Sequence, residues 1–474
     1  MSASLAPKTA YALMIILLII GIAVGYGIGT LTAPGKVVTT TVTSTATVTT
    51  TAAPGAAVTV TKTLTRTVTT TVTAAAPGAA PGLKGDVLIG ALLPLTGVLS
   101  SYGENDKVVL EMATKEINEW LAARGEPWRI KLVIEDTATD PKTALDKIQA
   151  LHGRGVKIFI GPMSSAEVSE IKSYADANKL LVISQSSTSP ALAIPGDFIL
   201  RFCPTDVAQG PAIAKVMWER GIRWVVPIWR GDTWGDGLKE FTVKAFEEIC
   251  KASGEKCGVV PGIRYDPAAK EFSAEMAKLA SIVKDLADKY GKDKVGVLAI
   301  SFEEIAAIFA AAKAHPILSE VKWQGSDGTA GIAILTKDPE LAEFAIKVKF
   351  LNTIAAPGKS PFTEKVRKWV LEKLGREPEA YAYFAYDALW VITLALEAVD
   401  KYDPEAVKNV IPSILERYLG ASGHFSLDEN GDRATGDYNL LIVRKVEGKY
   451  VWDVAGTYRA ATGKVEWASW WTGG

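Results

Sequence analysis

The chain has 474 residues, 48% hydrophobic and 22% charged, with a net charge of −1. That length exceeds what one ordinary core fills, so two or more domains are expected. The charge balance supplies no concentrated basic face for nucleic acid, and the three histidines (His152, His315, His424) stand in no metal-ligand spacing.

In chain order, the first element is an uncharged run of 22 residues from Ala10 to Leu31, AYALMIILLIIGIAVGYGIGTL. It is long enough to cross a bilayer and longer than the core of a signal peptide, so residues 1–32 read as a membrane anchor or signal-anchor helix. No Cys follows the run, which argues against a lipid-anchored lipoprotein. Residues 33–84 read as a Thr/Ala/Pro-Gly stalk, with 18 Thr among the 46 residues 37–82 and Ala-Pro-Gly repeated as punctuation. Without large apolar side chains such a segment is expected to be extended. Its Thr/Val alternation, as in VTVT at 58–61, nevertheless has strand propensity, and its Thr hydroxyls are candidate O-glycan acceptors.

Beyond Lys84, apolar strands alternate with amphipathic helices. DVLIGALLPL precedes KVVLEMATKEINEWLAARG, RIKLVIED precedes PKTALDKIQALHGRG, and KIFIGP precedes SAEVSEIKSYADAN and LLVIS. A second series begins near Ala208 and runs through RWVVPIW, GLKEFTVKAFEEICKA, GVVPGIRY, a helix over 271–290, and VGVLAI. Near-continuous apolar strands between helices imply parallel sheets covered on both faces, here two doubly wound α/β lobes. The tail adds the strand KVKFLNTI, two helices around 361–400, a short helix over 404–416 and a β-rich closure. Its Asp428–Asp432 run lacks Gly at the sixth position and an acid at the twelfth of a calcium loop, so a hairpin turn is expected. Cys250 and Cys257 flank KASGEK. A disulfide there suits an oxidising exterior, although seven residues of separation do not fix the Cα distance. Cys203 is expected to be a buried apolar residue.

In doubly wound sheets ligands sit beyond the carboxyl ends of the strands. One such end, LVISQSSTSP (181–190), carries five hydroxyl side chains. Ser/Thr runs before a helix are often only N-caps. The other reading is that the hydroxyls hold an anion. A carboxylate inside a closing cleft loses its water and needs donors, which hydroxyls and helix N-termini supply without a full positive charge. The junctions IGPMSS/AEV and ISQSST/SPAL are each expected to offer both kinds of donor.

The segments IGALLPLTGVLSSYG, VIEDTATDP, IGPMSS, ISQSSTSP, TWGDG, GSDG and YFAYDAL, in that order, resemble the type I periplasmic solute-binding proteins of ABC importers. The nearest pattern is that of the leucine/isoleucine/valine-binding (branched-chain amino acid) family, over roughly residues 85–460. The resemblance implies two α/β lobes joined by a three-strand hinge, with lobe 1 from 85–206 plus 354–437 and lobe 2 from 207–353 plus 438–474. It also implies a cleft in which Ser165 and Thr188 bind the ligand's α-carboxylate. There Ser186 offers a backbone carbonyl to the α-ammonium, and Asp327 pairs with that ammonium where the family carries Glu. Tyr102, Trp234 and Phe302 match aromatic or wall positions.

The expected function is therefore capture of a neutral amino acid by hinge closure on the outer face of the cell membrane. Delivery would be to an ABC permease and ATPase acting in trans. Small amides or urea as ligand, and a ligand-sensing receptor domain, are the alternatives. Arg230, close in sequence to Trp234, would favour an acidic ligand if it faced the cleft. No catalytic residue, metal or cofactor is expected: there is no Gly-x-Ser-x-Gly elbow and no His beside the candidate serines.

Overall fold

The computed structural model describes residues 40–51, 57–68 and 82–472. The apolar run 10–31 lies outside them. Two strands of the Thr-rich segment, β1 (Thr40–Thr51) and β2 (Ala57–Val68), pair antiparallel from Thr40 opposite Val68 to Thr51 opposite Ala57. The segment expected to be extended is a hairpin over these residues, because its Thr/Val alternation favours pairing. The rest of the proposed stalk up to residue 81 lies outside the described residues.

From Leu83 onward the chain is a second compact unit built around two sheets. The first follows the strand–helix rhythm read from the sequence. It contains β3 (Gly85–Leu93), α1 (Ser100–Ala123), β4 (Trp128–Asp136), α2 (Pro141–Gly153), β5 (Ile158–Ile160), α3 (Ser165–Ala177), β6 (Leu181–Ser184) and β7 (Ile199–Pro204). These strands, with the late β14 (Asp432–Arg433), form a six-stranded parallel sheet in the order β14-β7-β6-β5-β3-β4. β5, β6 and β7 are buried along their whole lengths, as expected of a sheet covered on both faces.

The second sheet takes over at α4 (Asp206–Glu219) and β8 (Trp224–Arg230), and continues through α5 (Thr233–Ser253), β9 (Gly258–Val259), β10 (Ile263–Tyr265), α6 (Ser273–Tyr290) and β11 (Val295–Ile300). It closes with α7 (Ile305–Ala312), β12 (Lys322–Gln324), α8 (Ile334–Lys337), α9 (Pro339–Lys347) and β13 (Leu351–Ala355). Three antiparallel strands complete it: β15 (Tyr438–Val446), β16 (Lys449–Arg459) and β17 (Lys464–Trp467), giving nine strands in all. They are the β-rich closure expected of the tail. The strand expected over KVKFLNTI is shorter than its apolar run, since the residues up to Lys347 finish α9.

The chain crosses between the sheets three times, after β7, after β13 and between β14 and β15. The helices α10 (Pro361–Leu374), α11 (Ala380–Val399) and α12 (Pro404–Leu415) return to the first sheet. α11 is long and apolar enough to span a membrane, but most of it is buried against the protein's own core, so it is a core helix.

The disulfide that the sequence left open is present, and the expectations for Cys203 and for the Asp428–Asp432 run hold. Cys250 and Cys257 form a disulfide with Cα atoms 5.8 Å apart, and Cys203 is a buried free thiol. The Asp428–Asp432 run is a turn, closed by an antiparallel bridge between Leu427 and Arg433. Its Asp432 carboxylate is taken up by the Arg201 guanidinium. One expectation fails. ISQSSTSP does not open a helix: Pro190–Leu192 form a single 3-10 turn before the chain enters β7. Pro195 and Gly196 follow at once, so that junction offers no helix N-terminus.

Candidate functional site

The carboxyl ends of β3, β5 and β6 face those of β8, β11 and β12 across a small cavity. It is lined by Leu99, Tyr102, Met163, Ser164, Ser165, Ser186, Trp234, Phe302, Asp327, Gly328 and Tyr381. Six of the seven residues expected at the site are thus brought together from segments up to 225 positions apart. The seventh, Thr188, is buried but does not line the cavity. The space open to a water's centre is about 20 Å³, room for roughly one or two waters.

On the first sheet's side, α3 begins at Ser165 with a capping box. The Ser164 hydroxyl accepts from the Glu167 N–H, and Glu167 accepts in return from the Ser164 N–H. Ser165 is therefore the first residue of a true helix N-terminus. The hydroxyl run beside it is mostly occupied in holding this corner. Ser184 and Ser186 donate to the carbonyls of Pro162 and Met163 at 2.8 and 2.7 Å, and Ser187 donates to the Ser165 Oγ at 3.1 Å. The Ser165 oxygen also accepts from the Ser189 N–H at 3.1 Å. Among the five hydroxyls of the run, Thr188 carries the one without a partner within hydrogen-bond geometry; the Gln185 Oε1 is likewise unpartnered. The reading that all five hydroxyls hold an anion is corrected: Ser184, Ser186 and Ser187 hold the 162–165 corner, and Ser189 donates to the Thr233 carbonyl at 2.8 Å.

That loop is fixed from behind. Arg201, fully buried, makes a bidentate pair with Asp432 at 2.5 to 2.6 Å and donates to the Ser189 carbonyl at 2.6 Å. Gln185 donates to Asp106 at 2.6 Å.

On the second sheet's side, Asp327 opens a short 3-10 turn after β12. The Tyr381 hydroxyl donates to its Oδ2 at 2.6 Å, while its Oδ1 has no partner. Burial pushes the Asp327 carboxyl up to about 6, against the pull of Tyr381 and Gln209. The next residue must be glycine: a Cβ on Gly328 would lie 2.5 Å from the Ser301 carbonyl and 2.6 Å from the Trp234 ring.

Trp234 and Phe302 stack at 4.4 Å and 19° to form the apolar wall. The Arg230 guanidinium lies 4.8 Å from the Phe302 ring and is paired with Asp232 at 2.5 Å and Glu304 at 2.8 Å. Its charge is spent behind the wall, so the route by which Arg230 would favour an acidic ligand is closed. The Tyr102 hydroxyl lies 2.7 and 2.8 Å from the carbonyls of Asp327 and Ala330, tying α1 to the opposite side.

Asp206, at the start of α4, escaped the sequence reading. It is fully buried, and both its carboxylate oxygens lack partners. Burial first and the charge of Asp327 second raise it well above the ordinary carboxylate range. Its sequence signal is slight, since an acid after Pro204–Thr205 at a helix start reads as ordinary capping. Tyr381 lay in the recognised YFAYDAL helix but carried no motif of its own. Among the described residues, no group of three or more His, Cys, Asp or Glu is arranged to hold a metal ion.

Residues 105–445 match the family model described as receptor family ligand binding region. An uncharacterized protein of Methanocaldococcus jannaschii is 33% identical over 399 residues, covering 80% of this chain and 91% of that one. A Leu/Ile/Val-binding protein homolog of Brucella abortus is 26% identical over 390 residues, covering 77% of this chain and 92% of its own length. The leucine binding protein LivK of Thermotoga maritima superposes with a TM-score of 0.63 at 26% identity, over 78% of this chain and 98% of its own. These binding-protein relatives agree with the expectation that the chain is not an enzyme. The chain belongs to the receptor ligand-binding-region family and has the type I periplasmic binding protein fold.

Proposed function

We propose that this protein captures a neutral amino acid between two hinged lobes and presents it to an ABC permease and ATPase encoded elsewhere. The lobes would be 85–206 with 354–437, and 207–353 with 438–474, each containing one sheet. The observation that carries the reading is the polarity of the buried cavity. The Ser165 hydroxyl and a helix N-terminus stand on one side and the unpartnered Oδ1 of Asp327 stands on the other, while Asp206 lies beside Thr188, whose carbonyl accepts from the Asp206 N–H at 2.9 Å.

A zwitterion satisfies both ends at once. Its carboxylate takes the Ser165 and Thr188 hydroxyls, and its ammonium takes Asp327 and the Ser186 carbonyl. Two carboxyl groups in one dry site repel, and an incoming cation relieves that repulsion. A small amide or urea would leave Asp327 with no cation, which disfavours that alternative. Arg230 is already paired, which favours a neutral side chain over an acidic one. The leucine-binding relative supports a branched-chain ligand; because the cavity holds only roughly one or two waters, seating such a ligand requires the two sides to part and the stacked Trp234 ring to move. Tyr102, Trp234 and Phe302 form the side-chain wall. In this reading the apolar run 10–31 tethers the binding domain outside the cell, with residues 33–84 as its stalk.

Isothermal titration of the full chain with the twenty amino acids, acetamide and urea tests the proposal. Micromolar binding, about −8 kcal/mol, of one or a few neutral amino acids is the expected result. Heat from the amides alone, or from nothing, would overturn it.

A further inference from the structure

The α1 helix begins without the usual means of satisfying its N-terminal N–H groups. Leu99 at its cap position contributes no side-chain bond, and no acidic residue lies in its first turn. The missing acceptor comes from the other side of the cleft. Glu303, on the loop after β11, accepts from the Ser101 N–H at 3.0 Å. Two more bonds cross the same gap: the Glu303 N–H donates to the Val98 carbonyl at 3.1 Å, and the Ala333 N–H donates to the Ser101 hydroxyl at 3.2 Å. Glu303 does not line the ligand cavity.

We propose that Glu303 is a positioning residue: it is the N-cap of α1 supplied in trans by the opposite lobe, made only on closure, and it sets how long a solute stays trapped without touching that solute. The physical basis is a carboxylate brought onto the positive end of a 24-residue helix. Opening the lobes leaves the Ser101 N–H and the Glu303 carboxylate to water, so the bond weights the closed state alone. One backbone bond, Glu303 to Val98, and one backbone-to-hydroxyl bond, Ala333 to Ser101, fix the register of the latch. A surface ion pair of comparable length would have neither this directionality nor a helix dipole behind it.

The inference rests on the hinge-closure reading, and its test separates the two. Spin labels on K142C and K278C, at exposed positions on α2 and α6, report the interlobe distance in the full chain with and without L-leucine. Glu303→Ala is expected to lower the closed-to-open ratio roughly tenfold in the ligand-free protein. It should raise the L-leucine dissociation rate by a similar factor while leaving association unchanged, because the latch forms after capture. Glu303→Gln, which keeps a neutral acceptor, should fall between wild type and Glu303→Ala, and the melting temperature should not follow this order. If L-leucine does not bind, the leucine reading fails, yet the ligand-free distances still judge the latch. A distance distribution that is the same in wild type and Glu303→Ala overturns it.

Discussion

The buried position of Asp327 makes amino-acid binding depend on pH in a definite direction. Burial pushes its carboxyl up to about 6, and the proposed ammonium partner needs it ionised. Burial and the Asp327 charge raise the Asp206 carboxyl well above the ordinary range, so the two acids compete for ionisation. Binding must then expel whatever proton Asp327 still holds. One linked proton makes affinity about tenfold weaker at pH 5 than at pH 7, with a plateau above. Release should be about 0.5 proton per ligand at pH 6 and about 0.9 at pH 5. Calorimetric titration in buffers of different ionisation enthalpy measures both quantities. Asp327→Asn should bind at least about a hundredfold more weakly and lose the pH dependence. Constant affinity from pH 5 to 8 with no proton release would refute the argument that an ionised Asp327 holds the ammonium.

Two predictions concern the frame around the site. Asp432→Ala leaves Arg201 buried and uncompensated, which should destabilise the protein by about 3–5 kcal/mol in chemical denaturation. It should also weaken ligand binding, because Arg201 anchors the Ser189 carbonyl; an unchanged denaturation midpoint would contradict the burial of the pair. Burial pushes Glu379, the partner of Asn105, up to about 7 from its ordinary 4.5. Its contribution to stability is therefore full below pH 4.5 and is lost as pH rises through about 7. Glu379→Gln should lose less melting temperature than wild type between pH 5 and 8.

Much of this architecture can be read from the sequence, for a physical reason. Doubly wound sheets advertise themselves as apolar strands between amphipathic helices, and runs such as KIFIGP and LLVIS lie where that rhythm puts them. The cavity's residues came from the resemblance to a known family, whose strand-end Ser, Asp and aromatic positions recur here in the same order. What local pattern could not carry was partnership. Nothing in ISQSSTSP says that Ser184, Ser186 and Ser187 turn toward residues 162–165, leaving Thr188 free. The helix expected after it gave way to a 3-10 turn, since Pro190, Pro195 and Gly196 leave no length for one. Asp206 and Glu303 stayed hidden because each looks like an ordinary acid beside a helix start. Their significance appears only when the two sheets face each other. The Thr-rich blocks show the opposite error: composition argued for an extended chain, while alternation argued for the hairpin that β1 and β2 form.

The central claim is that a zwitterion lies across this cavity in one orientation. A crystal structure of the chain grown with L-leucine would test it most directly. The account predicts the ligand carboxylate within hydrogen-bonding reach of the Ser165 and Thr188 hydroxyls and the ammonium against Asp327. A ligand lying the other way round, or one seated outside the cavity, would contradict it.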